Sequence, residues 1–346
     1  MKLIAFLLMV LSFLPSCYVT KQAYRQADLL MSREPVAKVL DSKEVSPSEK
    51  DKLRFSQLAL DFARDQGLHL GAAYSSYIKV PGRAVSYTVQ AARPTEMVLR
   101  HWWFPVVGSV PYLGFFDEAD RAKEAKSLIE EGYEVHEGSA TAFSSLGWFS
   151  DPIYSSMLRR PDIELAHLYF HELTHRTLWL SGGVEFNENL AEFVGDTLTT
   201  TFFKSLSREK EIAIFEEANA DYLLFREWLT NLRSAVEKDL KDSHKLDLAQ
   251  RVSKKNQVIS LAISKKPAFK RVDFVGSGPW NNARILGAGL YTPDTSKFLA
   301  SWQCFKSKTS DANIGQFLKT LKDHAEKTSN GFEALEAICT TQKEGT

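Results

Sequence analysis

His171-Glu172-Leu173-Thr174-His175 sets two imidazoles four residues apart, with a carboxylate beside the first. On a helix, residues four apart lie one above the other, about 6 Å between Cβ atoms, so both rings can serve one cation. Zinc in a hydrolytic site takes three protein ligands and keeps its fourth position for water. Glu172 would project close to that water and could take its proton. The third ligand must come from elsewhere, and Glu188, thirteen residues past His175, is the natural candidate. Glu192 and Asp196 follow at one-turn steps, and either could accept the free ring N–H of a ligating His. The donor set suits one Zn2+ per chain, although cobalt or manganese would fit the same ligands. His167 extends the stripe by a further turn. Two turns cover about 11 Å, too far for His167 and His175 to share one ion, and His167 is read as a surface or rim residue.

Two helices must position these groups. Leu165, Leu168, Leu173 and Leu178 have helical spacing, Pro161-Asp162 is a helix start, and Gly182 a stop. The glycines at 182 and 183 can turn the chain back. A second helix starting near Asn187 would then lay Glu188 against the His pair.

The stretch FHELTH…FNENLAEFVG resembles the gluzincin metallopeptidases, which combine H-E-x-x-H with a downstream Asn-Glu. More closely, the chain resembles a bacterial family of zinc aminopeptidases, in blocks at 33–40, 62–77, 104–119, 143–158 and 281–291. The resemblance implies His171, His175 and Glu188 as zinc ligands, Glu172 as general base and a peptide as substrate. Thr174 replaces the usual small residue inside the motif, and Arg176 follows it. The Gly-Ala/Met-Glu-Asn motif, which supplies amino-terminus recognition in better-known gluzincin aminopeptidases, is absent. An envelope endopeptidase and a catalytically inactive zinc-binding scaffold therefore stand beside the aminopeptidase reading.

The chain has 346 residues, 44% hydrophobic and 12% aromatic, enough for a large core. Lys plus Arg equals Asp plus Glu at 43 each, so no charge excess points to nucleic acid. Residues 1–16 read as a signal peptide: Lys2, then an apolar run from Leu3 to Leu14 too short to span a bilayer. Leu14-Pro15-Ser16-Cys17 resembles a bacterial lipobox, which implies lipidation at Cys17 and lasting membrane anchorage. The expected location is the bacterial cell envelope, facing the periplasm or the outside. Tyr18 after the Cys points to the outer membrane for a Gram-negative host.

The expected fold is α+β and gluzincin-like. Residues 17–346 form one peptidase domain: a mixed lobe over 17–160, then the H-E-x-x-H helix and a helical lobe over 161–346. The early helices are expected over Ala23–Leu40 and Ser48–Gln66. Strands are expected over 84–89, 97–104, 106–113 and 133–136, with a helix over 117–131 between the last two. Ala142–Trp148 is a candidate edge strand for the substrate backbone, or an ordinary interior strand. Ile212, Phe215, Ala218, Tyr222 and Phe225 form a packing stripe on a long helix over 207–243. Tyr291, with Tyr169 and Tyr154 as rivals, is nominated to donate a hydrogen bond to the developing oxyanion. Cys304 and Cys339 are left as either a disulfide or two free thiols.

Overall fold

The computed structural model describes residues 16–104, 108–141, 150–289, 294–328 and 330–340. The leader up to residue 15, the Cys17 side chain, Ala142–Trp148 and Tyr291 lie outside them. The protein is α+β. In chain order it runs α1 Ser16–Met31, β1 Glu34–Pro35, α2 Val36–Asp41, α3 Pro47–Asp65, β2 Ser76–Ile78, β3 Ser86–Ala92, β4 Trp102–Phe104, β5 Gly108–Val110 and β6 Leu113–Phe115. It continues with α4 Glu118–Glu130, β7 Glu134–Ala140, β8 Ile153–Tyr154, α5 Asp162–Thr177, α6 Val184–Ser205 and α7 Glu209–Asp242. The remaining helices are α8 Leu248–Ser264, α9 Asn282–Gly289, α10 Ser296–Lys308, α11 Ile314–Thr328 and α12 Gly331–Thr340.

The single helix expected over Ala23–Leu40 is two. Pro35 pushes the residue before it towards extended backbone, and Glu34 pairs with Tyr77 of β2 instead of continuing a helix. Beyond β2, Tyr77 lies parallel to Ile153 of β8, so the chain on either side of the mixed region is tied together just before α5. Another sheet, wholly antiparallel and ordered β6-β3-β7, packs α4 over Val89, Leu113 and Phe115. Its outer strand β7 runs to Ala140, four residues beyond the expected strand end at 136, because β3 offers a partner throughout, from Ala92↔Glu134 to Ser86↔Ala140. The expected strand over 106–113 is divided, with Gly108–Val110 turning back on β4 and Leu113–Phe115 joining β3.

The largest core runs across residue 160. It gathers Leu53 and Leu60 of α3, Tyr169, Phe170 and Leu173 of α5, Phe202 and Phe203 of α6, and Phe298, Phe317 and Leu335 of the last three helices. Phe62, Phe170 and Phe202 hold α3, α5 and α6 together, with ring centroids 5.0 to 5.9 Å apart. Each fully buried Phe is worth about 1.5–3 kcal/mol over leaving it in water, so α5 and α6 are held in place by far more than their polar faces.

Candidate metal centre

Helix α5 carries Asp162 and Glu164 in its first turn and His175 and Arg176 in its last, the arrangement its macrodipole favours. Asp162 also fixes the helix start from outside: its two oxygens meet Lys52 Nζ at 2.5 Å and Arg208 Nη1 at 2.9 Å. Tyr169, Phe170 and Leu173 face the core, which leaves His171 and Glu172 half-buried on the opposite side, with His175 buried at the helix end. Thr174, the motif's unusual residue, turns its hydroxyl back to Phe170 O at 2.7 Å. Arg176 reaches Asp151 at 3.8 Å in a buried ion pair.

The reversal into α6 depends on two residues. Gly182 adopts φ +78°, the left-handed region where a Cβ is strained. Asn187, almost fully buried, grips the turn: its Oδ1 accepts the Leu180 N–H at 2.9 Å and its Nδ2 donates to Leu180 O at 2.8 Å. The next residue is Glu188. The Asn of the Asn-Glu pair is thus a clamp that aims its neighbour.

That clamp brings Glu188 to the His pair. Its Oε2 lies 3.6 Å from His171 Nε2 and its Oε1 3.6 Å from His175 Nε2. The two Nε2 atoms stand 3.3 Å apart, and the rings meet edge to face with centroids 4.9 Å apart. Ligand atoms of all three residues lie within 4.8 Å of one another. The carboxylate contacts are too long for hydrogen bonds. They do fit around an ion: two zinc–nitrogen bonds of about 2.05 Å at the tetrahedral angle place their nitrogens about 3.3 Å apart. The residues present therefore fit a tetrahedral divalent metal.

Electrostatics agree with that use. At His171 burial disfavours a proton, but the carboxylates of Glu188 and Glu192, with Glu172 nearby, overcome it and lift the ring to about 10. Burial, then the charge of His171, presses His175 down to about 4. The carboxylates thus favour a proton on His171, and a cation bound there would compete with it. Glu188 and Glu192 both lie below the ordinary carboxylate range: burial pushes each up, and the histidines outweigh it.

Glu192 Oε2 sits 3.3 Å from His171 Nδ1, where it can accept the ring N–H that fixes the tautomer. Asp196 does not share that duty. It lies one turn further along, 3.2 Å from His167. His167 is no rim residue: its side chain is 18% exposed, packed on Phe215 beneath α7. Helix α6 covers α5 as far back as His167, where Asp196 and Gly195 lie against the ring, which the spacing of His167 could not reveal.

Tyr169 and Tyr154 are buried, and the Tyr169 hydroxyl donates to Ser56 Oγ at 2.9 Å. Helix α7 adds one group outside the packing stripe, Asn219, and brings Tyr222, a member of that stripe, under the influence of Glu192. Asn219 donates to Asp196 Oδ1 at 3.2 Å, and Tyr222 is pushed up to about 12 by burial and by the charge of Glu192. The cue was Asn219, a polar residue four places past Phe215 on an otherwise apolar face.

Residues 17–331 match the model of the family described as "Putative aminopeptidase". The chain belongs to this family. Membership supports a peptidase-like function, and the match takes in α5, α6 and every residue of the His-carboxylate corner. No curated protein and no solved structure matches the aminopeptidase-family chain.

Proposed function

We propose that this protein is a zinc-dependent metallopeptidase of the gluzincin type that removes amino-terminal residues from peptides. The observation that carries the reading is the 3.3 Å spacing of His171 and His175 Nε2 with Glu188 closing the third corner. His171, His175 and Glu188 hold the ion, and Glu192 orients His171. When bound, zinc supplies Lewis acidity, polarising a carbonyl and acidifying water. Glu172, beside His171 and half-buried, takes a proton from the attacking water and returns it to the leaving amine. Its charge is felt in the adjoining core, where burial, then Glu172 and Asp151, push the Tyr74 phenol well up. Tyr291 is proposed as the oxyanion donor.

The protein is further proposed to be a lipoprotein of the bacterial envelope, anchored through Cys17. The apolar run Leu3–Leu14 before that Cys supports this. Among the described residues no helix is long and apolar enough to cross a membrane.

The deciding variant is Glu172→Gln in the full chain. It should keep its metal by elemental analysis while peptide turnover falls about 10²–10⁴-fold, the usual contribution of a general base. Turnover at the parental rate would sink the mechanism. The absent Gly-Ala/Met-Glu-Asn motif favours a second reading, an endopeptidase. Hydrolysis of free but not N-acetylated peptides supports the aminopeptidase, and equal cleavage of both the endopeptidase.

A further inference from the structure

We infer that His167, Glu192 and Asp196 hold a second divalent cation, one helical turn from His171. One ligand atom from each lies within 4.8 Å of the others. His167 Nε2 points into the group, is shielded from solvent and has no hydrogen-bond partner. Asp196 Oδ1 at 3.2 Å and Glu192 Oε2 at 4.0 Å are within ion-pair range, yet neither is in hydrogen-bonding alignment with that nitrogen. A buried nitrogen left without a bond is costly, and a shared ion would satisfy all three groups together.

The surroundings are shaped for it. Asp196 is oriented from outside by Asn219 Nδ2. At Gly195 a Cβ would lie 2.9 Å from His167 Nε2, so only glycine leaves this approach open. One imidazole and two carboxylates give a net charge of −2 on a mixed nitrogen and oxygen set. That chemistry selects zinc or manganese rather than calcium, which takes oxygen ligands.

Spacing decides what the ion does. His167 and His171 ring centroids are 6.2 Å apart, and one turn of helix rises about 5.4 Å. Paired ions that share a hydrolytic step sit about 3.5–4 Å apart. The second ion belongs to the packing of the two helices. It cross-links α5 to α6 and holds Glu192, the carboxylate that also faces His171 Nδ1. The inference needs only this geometry and does not rest on the peptidase reading.

The test is metal stoichiometry of the full chain, stripped with chelator, equilibrated with zinc buffered at micromolar free concentration and dialysed. The parent should hold two ions per chain, and His167→Gln, Asp196→Asn and His175→Ala one each. Asp196→Asn keeps an oxygen for Asn219 and stands in if His167→Gln does not fold, which circular dichroism reports. One ion in the parent that survives both His167→Gln and Asp196→Asn overturns the second site and leaves the first site intact. Two ions in parent and both variants overturns it as well. If His175→Ala changes nothing while His167→Gln removes an ion, the second site stands and the first fails.

Discussion

The corner between α5 and α6 and the junction of β7, α8 and α9 each bury carboxylate beside basic side chain, and they use it in opposite ways. At the junction Lys255, with no exposed surface, donates to Glu134 Oε1 at 2.5 Å and to Pro94 O at 3.0 Å. Glu134 Oε2 accepts the Asn282 N–H at 2.9 Å, and the Asn282 amide donates to the carbonyls of Arg93, Pro94 and Glu96. Charge is met by charge and by backbone, although Asn282 Oδ1 is buried without a hydrogen-bond partner. At the corner the two imidazole Nε2 atoms meet at 3.3 Å while Glu188 stays 3.6 Å from each, beyond hydrogen-bond distance. The difference lies between an ion pair whose charges meet directly and a corner whose donor set fits a divalent cation.

The sharpest way to break this contrast is Lys255→Met. Removing one partner of a buried pair strands the other, so the variant should lose about 3 kcal/mol in urea denaturation while keeping its metal. A loss under about 1 kcal/mol would mean that Glu134 is served equally well without the lysine. The corner should respond differently to Asn187→Ala. That change leaves both polar groups of Leu180 without their partner and costs about 2 kcal/mol. It also frees Glu188, so chelator competition should find weaker zinc binding. Undiminished affinity would show that core packing alone aims Glu188.

The smallest effect is one of pH. Burial raises Asp162, but Lys52 and Arg208 more than offset it and hold its carboxyl below the ordinary 3.8. A carboxylate depressed on folding contributes stability that is fully present above its unfolded pKa and lost as pH falls through the folded one. The parent should therefore exceed Asp162→Asn in stability at neutral pH, by under about 1 kcal/mol given the exposure of the site. The gap should narrow as pH drops below 3.8. A gap constant across that range would remove Asp162 from the forces anchoring α5.

How far the sequence could be read varies with how local the cause is. The helices expected over Ser48–Gln66 and 117–131 form as α3 and α4, and a cap acting within one turn starts each: the side chains of Ser46 and Asp117 accept the N–H of Glu49 and Ala119. The break at Pro35 was missed although proline forecasts it, because the apolar spacing runs on across it. The turn hydrogen bonds of Asn187 needed the folded loop.

The sequence by itself determined the pairing of His171 with His175 and the place of Glu172 beside them, since a helix fixes which residues share a face. It also determined that Glu188 and Glu192 stand one turn apart. Only the tertiary structure decided which carboxylate meets which ring. That choice depends on the tilt and register of α6 on α5, set by Gly182, the Asn187 clamp and the shared phenylalanine core. It gave Glu192 to His171 and Asp196 to His167. No periodicity within one helix carries that information, because it resides in the packing of two.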